Sequence, residues 1–301
     1  MKILLLGKDG QIGWELQRSL STLGDLVPLG RKEADLMHLD GLRRCLQHHQ
    51  PNVIVNAAAY TAVDKAESEP EKAKLINVDA VKLLADEAAK LGAWLVHYST
   101  DYIFDGTKSS AYIESDEASP LSIYGQTKLA GEQAVRLSEC KHLIFRSSWV
   151  YSVHGVNFPL AILRRAIERE QIDVVSDSFG APTSASLVAD ITALILYRVS
   201  CDYLTAKTVM GTYHLVASGI TSWYEYAEFL VGHAKMKGLP VKVAPNKIFP
   251  ISSDTYKAAA RRPKNSQLDN SKLQNQFGLV LPNWKDPIVR FVTEIISQKP
   301  L

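Results

Sequence analysis

Tyr124 and Lys128 stand four residues apart, and Ser99-Thr100-Asp101-Tyr102 precedes them in the chain. A phenol has an ordinary pKa of about 10 and exchanges protons poorly at neutral pH unless a nearby cation favours its ionised form. On a helix, Lys128 sits one turn from Tyr124 on the same face and supplies that charge. The Thr100 hydroxyl would then hold a substrate oxygen beside the phenol while a hydride arrives from a cofactor. Tyr-xxx-Lys also falls by chance on many helices, so the rest of the chain has to carry the assignment.

The elements that would position these groups can be read from periodicity. Residues 93–98 form a short apolar run behind Gly92, which predicts a buried strand with Ser99 and Thr100 at its carboxyl end. Residues 122–139 place Ile123, Leu129, Ala130, Ala134 and Leu137 at helical spacing. Further strands are expected at 3–6, 26–29, 53–56 and 143–146, with helices at 12–23, 39–49 and 71–91 between them. Such alternation predicts an α/β fold built on a doubly wound parallel sheet, whose ligands bind at the carboxyl edge of the strands.

Gly7, Gly10 and Gly13 lie between the first strand and the first helix, around Gln11 and Ile12. That is where a dinucleotide pyrophosphate rests on backbone N–H groups in a Rossmann unit, and a side chain would block its approach. The spacing is Gly-xx-Gly-xx-Gly rather than the commoner Gly-x-Gly-xx-Gly. After the second strand, where an NAD site usually carries an acid, the chain reads Gly30-Arg31-Lys32. Two cations favour a ribose 2′-phosphate, and hence NADPH over NADH. The competing reading leaves Arg31 and Lys32 as solvated charges, with Glu33 or Asp35 on the ribose. Asn56-Ala57-Ala58-Ala59-Tyr60-Thr61 follows the third strand; its small residues admit a flat ligand or tight helix packing, and Tyr60 and Thr61 would flank such a ligand. Asp64-Lys65-Ala66-Glu67 reads as a solvated first helical turn.

The chain has 301 residues, 46% of them hydrophobic, enough for a large core with an appended unit. A net charge of +2 without a basic stripe or acidic tail argues against a nucleic-acid partner. Cys45, Cys140 and Cys201 are scattered and odd in number, so neither a disulfide framework nor a zinc site is expected, and a reducing cytoplasm is the default. The apolar start meets Gly7-Lys8-Asp9 too early for a signal sequence, and a membrane partner is not expected.

In their order and spacing, these motifs resemble the extended short-chain dehydrogenase/reductase superfamily, and within it the reductases of dTDP-sugar synthesis. The resemblance spans nearly the whole chain and is carried by 63–70, 97–102, 124–132, Phe145-Arg146-Ser147-Ser148-Trp149-Val150-Tyr151, Gly180-Ala181-Pro182-Thr183 and Arg262-Pro263-Lys264-Asn265-Ser266. It implies cofactor contacts at Gly10, Gln11, Ile12, Asp35, Leu36 near the adenine, Ala59, Tyr60, Thr61, Tyr124 and Lys128. It implies a dTDP-ketosugar substrate on Thr100, Asp101 and Trp149. An acid is frequent at position 30 in relatives; Gly30 departs from that pattern and puts NADH use in doubt. Some relatives hold magnesium at a dimer interface, which leaves a homodimer open. Glu15 is one candidate ligand there, but no metal-binding spacing surrounds it and no metal is assigned.

Chain order in the superfamily implies that a helix at 185–199 returns to the nucleotide unit. Residues 1–150 and 184–207 would then bind dinucleotide, and 151–183 with 208–301 would form a smaller α/β substrate unit. In that unit Asn157 is expected to cap a helix, 214–216 to form a strand, and Trp223, Tyr226, Phe229 and Leu230 to face a core. Arg262, matched to the family, is placed over the substrate diphosphate by paired hydrogen bonds. Two alternatives stay open. Dehydratases of this superfamily follow the catalytic Thr with Asp-Glu, whereas Asp101 is followed by Tyr102; an epimerase would hold its cofactor tightly without net oxidation. A non-catalytic subunit, like the regulatory subunit of eukaryotic methionine adenosyltransferase, is disfavoured by the complete Thr100, Tyr124 and Lys128 set.

Overall fold

The computed structural model describes residues 1–201, 208–255 and 258–297. Six parallel strands form the main sheet: β1 (Lys2–Leu6), β2 (Asp25–Leu29), β3 (Val53–Asn56), β4 (Trp94–Thr100), β5 (Lys141–Ser147) and β6 (Gly211–His214), in the spatial order β6-β5-β4-β3-β1-β2. The order reverses between β1 and β3, which creates the crevice where open α/β sheets take ligands. β3 and β4 are buried along their whole length, as strands covered on both faces must be.

Successive side chains of each strand feed opposite cores. Ile3, Leu5, Val55 and Val96 pack with Leu16 and Leu20 of α1 (Gln11–Leu20) on one side. Leu4, Leu6, Ile54 and Leu95 pack on the other with α2 (Leu39–His49) and α3 (Ala80–Leu91). α4 (Ile123–Leu137) lies on that second side, and Val135 joins the same core. The Ser122 hydroxyl accepts Gly125 N at 3.2 Å and Glu67 Oε1 accepts Ile123 N at 2.9 Å. These two caps set where α4 begins and therefore place Tyr124 in its first turn.

The remainder packs on a smaller core of Tyr151, Leu163, Tyr226, Leu230, Ile288 and Phe291. It holds α5 (Phe158–Glu168) and, beyond α6 (Ala185–Cys201), α7 (Trp223–Met236). α6 packs by Val188, Ile195 and Leu196 into the core of the main sheet with α1. Two expectations change. The helix foreseen at 71–91 is present as a continuous run from Pro70 to Leu91, but it contains a π turn at Leu75–Asp79, a wider coil that bulges the chain. The strand foreseen at 214–216 for the substrate unit shares only His214 with β6, which ends there and is hydrogen-bonded to β5 as the edge of the main sheet. The sequence of β6, Gly-Thr-Tyr-His, carries no sign of which sheet it will join. The expected cut at 207/208 begins outside the described residues, as does the Cys201 side chain. Among the described residues no helix is long and apolar enough to cross a membrane.

Candidate functional site

The glycine loop forms a cradle made of backbone. Gly7 adopts φ +84°, and a Cβ there would lie 2.7 Å from Ala58 N. A Cβ on Gly13 would run into the Gly7 carbonyl, so α1 starts as close to the loop as a chain can. Gly10 caps α1 without a side-chain bond, which leaves the first-turn N–H groups, including those of Gln11 and Ile12, for an anionic ligand. The cradle fits a pyrophosphate. Gln11 Oε1 accepts Asn157 Nδ2 at 2.8 Å, while Asn157 Oδ1 caps α5 through Leu160 N at 3.2 Å.

At the end of β2, Glu33 folds back: Oε2 accepts Gly30 N at 2.8 Å and Oε1 pairs with Lys8 Nζ at 3.0 Å. Its carboxylate is thus occupied within the protein. Arg31 and Lys32 are exposed, and no described residue is bonded to either side chain. Asp35 Oδ1 accepts Met37 N at 2.9 Å and Leu36 is buried beside it. Ala59 is half-buried and Thr61 exposed. Tyr60 differs from expectation: its ring enters the core and its hydroxyl donates to Glu69 Oε2 at 3.0 Å, so the side chain does not flank a ligand. What holds Tyr60 is Asn77, whose side chain accepts Tyr60 N at 2.9 Å and donates to Tyr60 O at 3.1 Å and Thr127 Oγ1 at 3.1 Å. Asn77 had no local signal; the π turn that points it there appears only in three dimensions.

Thr100, Tyr124 and Lys128 converge. Thr100 ends β4, accepts Tyr102 N at 3.2 Å and donates to Asp101 Oδ1 at 3.1 Å. Burial pushes the Tyr124 phenol up to about 12; the hydrogen-bonded Thr100 hydroxyl pulls it back and the Asp101 carboxylate adds to the rise. The phenol therefore stays protonated at neutral pH, the form a proton donor needs. Lys128 Nζ donates to the Tyr98 carbonyl at 2.6 Å and lies within 3.4 Å of His97 Nε2. Burial brings the ammonium down to about 8. Burial and then the Lys128 charge hold His97 well below its ordinary range, so its ring is neutral. Burial raises Asp101 to about 6, against the hydrogen bonds of Ser266 and Thr100.

The other wall is assembled from distant segments. Trp149, at φ +49°, stacks on Trp223 at 3.6 Å between ring centroids. Tyr226 and Leu230 are buried in the smaller core, and Trp223 and Phe229, half-buried, pack against it, as the aromatic stripe predicts. Arg262 Nη2 pairs with Asp64 Oδ2 at 2.7 Å, and Asp64 Oδ1 accepts Ala260 N at 3.1 Å. Asp64 and Glu67, expected to be solvated, thus hold a loop and a helix start. Arg262 also hydrogen-bonds the Tyr102 phenol, and the Tyr102 ring meets Tyr124 edge-on at 5.6 Å. Among the described residues no group of three or more His, Cys, Asp or Glu is placed to hold a metal; the Glu15 carboxylate lies 3.8 Å from Arg18 Nε.

The model of the RmlD substrate binding domain matches residues 1–297. The chain is 47% identical over 301 residues to a dTDP-4-dehydrorhamnose reductase of Escherichia coli K12, covering 99% of both proteins. A Burkholderia thailandensis protein of the same name is 45% identical over 298 residues, covering 99% of this chain and all of the relative. The crystal structure of the Bacillus anthracis dTDP-4-dehydrorhamnose reductase in complex with NADP superposes with a TM-score of 0.86 at 33% identity, covering 97% of this chain and 99% of that one.

Proposed function

The chain belongs to the RmlD substrate binding domain family, and from that premise we propose that it reduces the 4-keto group of dTDP-4-dehydro-L-rhamnose to give dTDP-L-rhamnose, using NADPH. The observation that carries the reading is the meeting of Thr100, Tyr124 and Lys128 at the carboxyl edge of β4, beside a loop that only glycines can form.

Bound NADPH supplies the hydride that reduces the ketone carbon. Gln11 and Ile12 would hold its pyrophosphate by backbone N–H groups, over the close turn that Gly7, Gly10 and Gly13 make, in which the Gly7 N–H donates to Leu29 O and the Gly10 N–H to Gly7 O, and Asp35 and Leu36 would lie toward the adenine. Arg31, with Lys32, takes the 2′-phosphate, because both cations are exposed and uncommitted while Glu33 is engaged. Ala59, Tyr60 and Thr61 border the nicotinamide side, Tyr60 through its backbone. Lys128 holds the nicotinamide ribose with Tyr124. The substrate oxygen lies between Thr100 and Tyr124, with Asp101 and Trp149 toward the sugar and Arg262 toward the diphosphate. As the ketone oxygen gains charge, Tyr124 gives it a proton, and a phenol held near 12 is fully protonated for that task at pH 7. The phenolate left behind is offset by the Lys128 ammonium one turn away.

Residues 1–150 with α6 act in this reading as the cofactor unit, joined by β6, and the 151–183 segment and the chain after β6 as the substrate unit.

Incubation with NADPH and dTDP-4-dehydro-L-rhamnose, followed by identification of the sugar, tests the reaction. In Tyr124→Phe, turnover should fall by roughly a thousandfold, the scale of a lost general acid, with NADPH affinity within about twofold. Full turnover in that variant overturns the assignment.

A further inference from the structure

α4 carries three ionisable groups one turn apart on its buried face: Tyr124, Lys128 and Glu132. Lys128 is 2% exposed and Glu132 is 0% exposed, although nothing so far gives Glu132 a task. An isolated carboxylate does not survive such burial in its charged form; it needs a partner. Arg146 provides one in two-pronged form, with Nε 2.9 Å from Oε1 and Nη2 2.7 Å from Oε2. Arg136, one turn further along α4, adds Nη1 at 3.1 Å.

Arg146 is itself fixed by the sheet. It lies on β5 opposite Ser99, one residue before the Thr100 pairing. Its Nη1 reaches the Glu114 carbonyl at 3.4 Å and His214 Nε2 at 3.5 Å, and its guanidinium sits 5.4 Å from the Phe104 ring. Replacing a buried ion pair by neutral groups of similar volume often costs little stability, so stability alone does not account for this one.

We propose that Glu132, anchored by Arg146, is a positioning residue of the reaction centre: it is the fixed countercharge that holds the Lys128 ammonium beneath Tyr124. This rests on the reading of Tyr124 and Lys128 as the proton-donating pair. The groups that act on Lys128 are Glu132, one turn along its own helix, and His97 and the Tyr98 carbonyl on β4; Arg146 on β5 acts through Glu132. Burial drives the ammonium toward neutrality, and Glu132 is the charge that opposes it. A neutral amine would leave the nascent phenolate uncompensated. The rate should therefore fall as pH rises through the Lys128 pKa, near 8.

The test is the pH profile of kcat/KM for NADPH-dependent reduction in the wild type, Glu132→Gln, Arg146→Met and the double variant. Removing an anion one turn away should move the alkaline limb down by about one pH unit, and removing the cation should move it up by a smaller amount. In the double variant, which removes both members of the Glu132 and Arg146 pair so that neither is left buried without the other, the limb should lie between those of Glu132→Gln and the wild type, with circular dichroism as the fold control. Glu132→Asp should restore it. Damage to packing would instead lower kcat at every pH without opposed shifts. A limb that stays at the wild-type position in the double variant, or that moves the same way in both single variants, overturns the proposal. Tyr124→Phe in the same assay separates the two claims: if it is inactive while the limb does not respond to Glu132, only the countercharge fails; if it is fully active, the reading of the pair fails as well.

Discussion

The cofactor end and the substrate end of the crevice are built from different material. At the cofactor end the shape is main chain: Gly7 turns at positive φ against Ala58, and Gly13 brings α1 onto the Gly7 carbonyl. At the substrate end the shape is side chain: Trp149 lies on Trp223, and Arg262 is held by Asp64 across 198 residues of sequence. A main-chain cradle has no rotamer through which to yield, whereas a side-chain wall can repack. The first should be brittle to one added carbon, and the second should change in small increments.

The largest effect is expected where the cradle is filled. Gly13→Ala places a methyl group into the Gly7 carbonyl, so the loop has to move, and NADPH affinity should fall by at least about a hundredfold, a scale set by the loss of backbone bonds to a charged ligand. Gly180→Ala is the matched change at the other end: its Cβ would lie 2.7 Å from Trp149 Cε2 and 3.2 Å from Cδ2, the ring-fusion carbons, so the indole has to slide along Trp223, a side-chain movement with no shift of main chain. It should raise the sugar-nucleotide KM by only a few-fold. Cofactor titration by fluorescence with circular dichroism as the fold control, and steady-state kinetics, measure the pair. If Gly180→Ala proves the more damaging, the contrast between the two ends is wrong.

That contrast also explains what could be read from the sequence. The strands, the glycine loop, the Thr100 and Tyr124-xxx-Lys128 placement and the Asn157 cap follow from local spacing, because each is set by residues within a turn or two of one another. The Asp64 and Arg262 pair, the Trp149 and Trp223 stack and the Asn77 clamp on Tyr60 join segments far apart, and no local pattern announces them. Glu132 lies between these cases. Its position one turn beyond Lys128 was visible, but its burial depends on Arg146 arriving from β5. For Lys128, helical spacing put the residue one turn from Tyr124, and only the fold shows its ammonium also bonded to the Tyr98 carbonyl.

A smaller change tests the rim of the cofactor end, where recognition passes from main chain to side chains. Arg31→Ala should lower kcat/KM for NADPH by about tenfold and leave NADH nearly unaffected, the expected loss for one charge-assisted contact to phosphate. Equal use of both cofactors by the wild type, with no response to Arg31→Ala, would return the ribose to Glu33 or Asp35. It would also mean that Glu33 leaves Gly30 N and Lys8 when ligand binds.

The smallest effect is expected at Asp64, and there the sign is the informative part. Arg262 and Asp64 are respectively 35% and 47% exposed in their side chains, so their ion pair contributes about 0–1 kcal/mol. If Arg262 must leave Asp64 to bind the substrate diphosphate, Asp64→Ala removes a competitor and the KM should fall by up to about fivefold, the full value of such a pair. Arg262→Ala should raise the KM instead, by about tenfold, with kcat retained because Tyr124 keeps its place beside Thr100. If Asp64→Ala raises the KM as well, Asp64 serves to hold Arg262 ready through Ala260 N, and this side-chain wall is as preorganised as the glycine cradle opposite.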